Sequence, residues 1–282
     1  MTAGEESPAP EQHADVPAVS DDPPIDPPVI PAPAEPPKPD PWAHRRTEPR
    51  TFAFIWTMFL FFATVSTYAV TMSSGIGGHD VVRPAARLLL ILVASGVVII
   101  WPLVRLSQPP DERPIVGPIL DFIVILVPVQ AIVWPQAAWW LAGWPISVVA
   151  ALTLMITAWA LITAAVISCA HSLRRTRNAS PAAWMALILV GLIMLHAPAI
   201  ATMGSAGAVQ GTNFVRTSWM ASPLTAVFEI SQDRTWVGTP AAVFPGHWRA
   251  LGFTFAAAGV TWIIAAVVRS LSAGRPADPG LH

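Results

Sequence analysis

Charge is scarce in this chain of 282 residues. Only 12% of the residues are Asp, Glu, Lys or Arg, against about 25% in a soluble domain. The scarcity is uneven. Between Phe122 and Ala170 there is no Asp, Glu, Lys, Arg or His at all. That run is long enough for two bilayer crossings at roughly 20 residues each, and a water-soluble fold could not hide it. Lysine is nearly missing too: Lys38 is the sole one, so the basic side of the chain is arginine. A single cysteine, Cys169, excludes an intramolecular disulfide and reads as a small apolar residue near a helix end. Neither C-x-x-C nor paired His/Cys spacing occurs, so no metal is expected. A net charge of −1 without a basic stripe argues against nucleic acid as a partner.

The motifs of covalent and hydrolytic chemistry are missing as well. There is no G-x-S-x-G, no H-E-x-x-H, no intramembrane Asp pair and no P-loop. We expect no catalytic residue, no cofactor and no enzyme activity, and any ATP hydrolysis by the P-loop route must come from another protein. Haem ligation is not expected either. His171 and His196 belong near opposite membrane faces, and His79 and His247 read as loop residues.

What the sequence does have is hydrophobic residues, 54% of the total, arranged in long runs. The expected fold class is all-α: a polytopic membrane helix bundle of about six spans behind a disordered proline-rich arm. The arm covers residues 1–47. Its first forty residues hold nine acidic residues, one basic residue and Pro-Pro pairs at 23–24, 27–28 and 36–37. Proline removes helix donors, and too little apolar surface is present to offset the entropy of ordering. The arm reads as a solvated tail or as a docking ligand with polyproline II character. It lacks the basic start and short apolar core of a signal peptide.

The membrane domain is expected over residues 48–272, with spans at 51–72, 87–106, 115–134, 143–170, 182–203 and 250–268. A short tail, 273–282, follows. With the amino terminus inside, Lys and Arg divide eleven inside to five outside, so both termini are expected in the cytoplasm of a bacterial inner membrane. Trp134, Trp139, Trp140 and Trp144 cluster at the outer turn between spans three and four, where indole rings favour the headgroup level. Asp80, Arg83 and Arg87 read as interfacial anchors at the same side. The outer segment 204–247 is expected to cap the bundle. In it, Ser222 is a candidate cap and Pro223 a first helical residue for a helix too short to span, either interfacial or re-entrant.

Titratable groups within spans are costly and mark contacts with other helices or water. Asp121 lies early in span three and Arg105 ends span two, joined by the short connection "LSQPPDERP". They are expected to form an ion pair that fixes a helix hairpin, with proton or substrate movement as the alternative. His196 and Gln130 are expected at similar depth in the outer half of the bilayer. Both are candidate cavity or substrate residues. His196 reads otherwise as a packing histidine, with the Met194 carbonyl, freed by Pro198, as a nearby acceptor.

The closing pieces "SPLTAVFEIS" and "PGHWRALGFTF", within a six-span layout with an enlarged outer segment before the last span, are similar to the permease subunits of ABC-2-type exporters. That resemblance implies a separate P-loop ATPase subunit as partner, homodimer formation, and Gln108, Asp111, Glu112 and Arg113 facing the ATPase. It also implies a hydrophobic or amphiphilic cargo. The competing expectation is a membrane scaffold that recruits a partner through the proline-rich arm.

Overall fold

In a bilayer no water is available for peptide groups, so an apolar chain satisfies its backbone within helices. The computed structural model describes residues 49–73, 79–108, 115–174, 184–185, 187–188, 190–192, 196–197, 201, 215–233 and 240–273, and among them there is no strand. The elements are α1 (Pro49–Ser73), α2 (His79–Ser95), a π-helical turn (Gly96–Ile100), α3 (Trp101–Ser107), α4 (Val116–Val133), a 3-10 turn (Trp134–Ala137) and α5 (Ile146–Arg174). A second 3-10 turn (Thr217–Ala221), α6 (Pro223–Ser231) and α7 (Pro245–Ala273) complete them.

Among the described residues five helices are long and apolar enough to cross a membrane: Phe52–Ala69, Val81–Ser107, Val116–Ala137, Ile146–Arg174 and Pro245–Ser272. The chain is an integral membrane protein of the helix-bundle class. These helices correspond to expected spans one, two, three, four and six. Expected span five, 182–203, lies largely outside the described residues; those described within it, such as Trp184, Leu187 and Val190, are helical. The arm at 1–47 and the tail beyond Ala273 also lie outside the described residues.

Two spans begin well before the expected residue. The second starts at His79 rather than at 87, and runs through Pro84. The last starts at Pro245 rather than at 250. Proline suits that first position, since its missing N–H would be unbonded there anyway.

The long α5 is the hub. It packs against α3, α4, α6 and α7, and 61% of its apolar window is buried, against 17% for the edge helix α7. Ala151, Ala158, Ala160, Ala164 and Ala165 are all buried on it. Small side chains let neighbouring backbones approach, which is how helices associate where lipid is as apolar as leucine. Helix α1 packs on α2 and α4. The π turn that follows α2 lies very close to α1 at Gly96: a Cβ there would lie 2.5 Å from Phe59 and 2.9 Å from Trp56. The helix widens into its π turn at this same residue.

The aromatic belt divides. Trp134, Trp139 and Trp140 are exposed, but Trp144 is buried in the core, which corrects the expectation for that residue. Gly143 at φ 59° turns the chain inward just before it, a conformation that glycine adopts without steric cost. The carbonyl of Gln136 accepts from the Trp144 amide at 3.2 Å and holds the turn.

Candidate functional site

The polar side chains gather at the two ends of the bundle. One end is formed by the start of α1, the end of α3, the start of α4 and the end of α5. Here Arg105 donates from Nε and Nη2 to the two oxygens of Asp121, a fork matched to a carboxylate. Asp121 is 1% exposed. The same guanidinium donates from Nη1 to Gln108 Oε1 at 2.7 Å and stacks 4.9 Å from the centre of the Phe52 ring. Arg174, in the last turn of α5, donates to the carbonyls of Leu106 and Gln108 at 2.9 and 3.0 Å. Those are the terminal carbonyls of α3, which lack partners within their own helix. Three helices are thereby tied at one point.

This geometry alters the view of the connecting loop. Gln108, expected to face a partner ATPase, is half-buried and accepts from Arg105 through its side-chain oxygen. A buried guanidinium has more donors than one carboxylate can accept, so the amide is drawn to it. Asp111, Glu112 and Arg113 lie outside the described residues.

At the other end α6 is sunk into the bundle. It packs on α2 and α5, and Thr225, Ala226, Val227, Glu229 and Ile230 are buried. This segment is therefore not a helix lying on the surface. Ser222 does not cap it: the residue is buried and its hydroxyl bonds nothing, while Thr225 Oγ1 donates to the Trp219 carbonyl at 2.5 Å. Pro223 does take the first turn.

Arg83 and Arg87, expected as interfacial anchors, instead bind protein. Arg83 Nη1 and Arg87 Nη2 share the Asp233 carboxylate at 2.9 and 3.0 Å. Arg83 Nε also donates to the Ala142 carbonyl at 2.8 Å, and Arg87 Nη2 to the Ser231 carbonyl at 2.7 Å. The Asp233 carboxylate also accepts from the Ala241 amide at 3.1 Å. One carboxylate thus joins α2 to both sides of the segment linking α6 and α7. The two arginines lie one helical turn apart, which places both on the same face of α2. The Asp80 side chain lies outside the described ones.

Beside this latch, Glu229 of α6 and His247 of α7 form a fully buried pair, Oε1 to Nε2 at 3.6 Å. The Arg216 amide donates to Glu229 Oε1 at 3.2 Å, and the Phe244 amide donates to His247 Nδ1 at 3.0 Å. His247 therefore belongs to the packed first turn of a helix, not to a loop. Sequence reasoning passed over Glu229 altogether. A signal was present: Ser222, Thr225 and Glu229 recur at spacings of three and four, a polar stripe on a short apolar helix.

His196 is buried, with its ring 5.2 Å from that of Trp159 on α5. Among the described residues neither of its nitrogens has a hydrogen-bond partner. It is consequently not bonded to Gln130, whose own Oε1 is also buried and unbonded. The Met194 carbonyl lies outside the described residues. The helix-to-helix hydrogen bonds of the interior are made elsewhere, from Trp56 Nε1 to the Ile125 carbonyl at 3.4 Å and from Tyr68 to Gln136 at 3.1 Å.

No family model matches the chain, and no curated protein or solved structure does. Among the described residues no three His, Cys, Asp or Glu side chains come close enough to hold a metal ion. The arrangement can fix helices, latch Ser231, Asp233 and Ala241 to α2 and bring Glu229 of α6 against His247 of α7.

Proposed function

We propose that this protein is the membrane-spanning subunit of an ATP-driven, ABC-2-like exporter whose P-loop ATPase is a separate chain. The observation that carries this reading is the placement of α6. A short helix between the spans and the last crossing folds back into the bundle, buried against α2 and α5, as in the layout of such permeases. In this reading the Arg105–Asp121 end faces the cytoplasm of a bacterial inner membrane, with both termini there. The arginine excess on that side supports the orientation. The subunit has no catalysis of its own, works as a homodimer and meets its ATPase through the loop from Gln108 to Arg113. His196 and Gln130 are the intramembrane polar side chains that a cargo path would use.

Purification of a carboxy-terminally tagged protein in mild detergent tests this, with co-purifying proteins identified by mass spectrometry. A stoichiometric P-loop ATPase is the expected partner. Recovery with other envelope proteins and no ATPase overturns the reading.

A second reading, a non-catalytic scaffold, is favoured by the filled interior. Trp56, Trp101, Trp144 and Leu152 are fully buried in one apolar core, with α5 packed through its middle. A scaffold recruits through its proline-rich arm, so deletion of residues 1–40 removes its partner. A permease keeps assembling after the same deletion.

A further inference from the structure

Between α5, α7 and the 3-10 turn at Thr217–Ala221 lies an open groove of about 540 Å³. Its floor is Trp159 and Ile162 of α5, and its far wall is Phe253, Thr254 and Ala257 of α7. The polar groups are unevenly placed along it. Arg249 and Thr217 lie at the end where α7 begins, and the other end is apolar. The one hydroxyl further along, on Thr254, donates to the Ala250 carbonyl of its own helix at 3.0 Å. The α7 wall runs from Gly246 to Ala257, about 16 Å at the rise of an α-helix, which matches one leaflet of a hydrocarbon core roughly 30 Å thick.

The charge at this end favours an anion. Among the described side chains four guanidiniums are present, of Arg83, Arg87, Arg216 and Arg249, against two carboxylates, of Glu229 and Asp233. Asp233 is held by Arg83 and Arg87, and Glu229 faces His247. Arg216 stacks 4.3 Å from the Trp219 ring. Arg249 is exposed at the mouth of the groove and has no ion-pair partner among the described residues.

We propose that this groove is a binding site for an anionic phospholipid, with one acyl chain along Trp159, Phe253 and Ala257 and the headgroup phosphate at Arg249. An apolar slot one leaflet long with a single cation at one end selects an amphiphile in one orientation. A zwitterionic headgroup brings its own cation to the same place and competes less well.

Native mass spectrometry of the full-length protein tests the site, using equal amounts of phosphatidylglycerol and phosphatidylcholine with the same acyl chains. Wild type is expected to retain phosphatidylglycerol roughly fivefold over phosphatidylcholine, the preference that one arginine near a lipid surface supplies. Arg249→Gln removes the preference and keeps the apolar slot. Ala257→Trp fills the exposed far end and lowers retention of both lipids, with its thermal unfolding confirming that it folds. Equal retention of the two lipids by wild type overturns the proposal, as does an unchanged preference in Arg249→Gln. A dimer that holds no lipid, but dissociates on Ala257→Trp, assigns the groove to a second copy instead.

Discussion

The guanidinium of Arg105 and the carboxylate of Asp121 meet as a two-bonded fork, one at the end of α3 and the other near the start of α4. Asp121 is almost fully buried, and Arg105 keeps only 12% of its side chain exposed. Breaking a buried pair strands a charge, so Asp121→Ala is expected to cost about 3–5 kcal/mol. The double exchange Arg105→Asp with Asp121→Arg restores part of the stability lost in either single reversal. Thermal unfolding in one detergent measures all four proteins. No gain in the double variant over the single ones rules out a pairwise role.

Gly96, in the π turn that follows α2, lies tight against α1. A methyl group at this position meets Phe59 and Trp56 at under 3 Å, and the Trp56 ring is fully buried and cannot swing away. Gly96→Ala is expected to destabilise by about 1–3 kcal/mol through overpacking, despite the better helix propensity of alanine. Phe59→Leu, which trims the nearest ring, recovers part of that loss. If Gly96→Ala unfolds at the wild-type temperature, the contact is looser than described.

Asp233 is the common partner of two arginines on α2. Its removal leaves Arg83 and Arg87 without their carboxylate, although each keeps a backbone carbonyl, of Ala142 and Ser231. Asp233→Asn is expected to cost about 1.5–3 kcal/mol, the range for hydrogen bonds to charged groups. Because the latch holds both sides of the link between α6 and α7, the loss is local. Hydrogen exchange at residues 231–244 rises while α5 stays protected. Equal acceleration in α5 contradicts a local latch.

How much of this was legible depends on the range of the interaction. Helix positions follow from apolar runs, and a charge-free stretch such as 122–170 has few alternatives. The proximity of Arg105 and Asp121 follows from a short connection between antiparallel helices. Arg83 and Arg87 are different. Their partner, Asp233, is about 150 residues away in sequence, and nothing in local spacing ties them together. Local rules then assign such arginines to the headgroup region. Trp144 was misplaced for a related reason. An indole beside a turn reads as belt, and only the positive φ of Gly143 turns it inward. The amphipathic pattern of α6 announced a short helix, but not whether its apolar face meets lipid or protein.

Glu229 and His247 carry the last prediction. The Phe244 amide donates to His247 Nδ1, so that nitrogen bears no proton. A neutral imidazole then holds its proton on Nε2, the atom that faces Glu229 Oε1. Nitrogen NMR of histidine-labelled protein at neutral pH should find His247 as the Nε2–H tautomer. The same pairing predicts a coupling energy. His247→Phe keeps the ring volume but removes the Nε2 that faces Glu229 and the acceptor for Phe244, at about 1–3 kcal/mol for the buried Phe244 amide left unbonded. Glu229→Leu removes the other member. Once one member is gone, loss of the second costs less, so the double variant is expected to be more stable than the sum of the two losses by over about 0.5 kcal/mol. Strict additivity, or the opposite tautomer, means that the two groups are neighbours without a bond between them. In that case α6 is held by its apolar face, by Arg87 on the Ser231 carbonyl and by Asp233 just beyond its end.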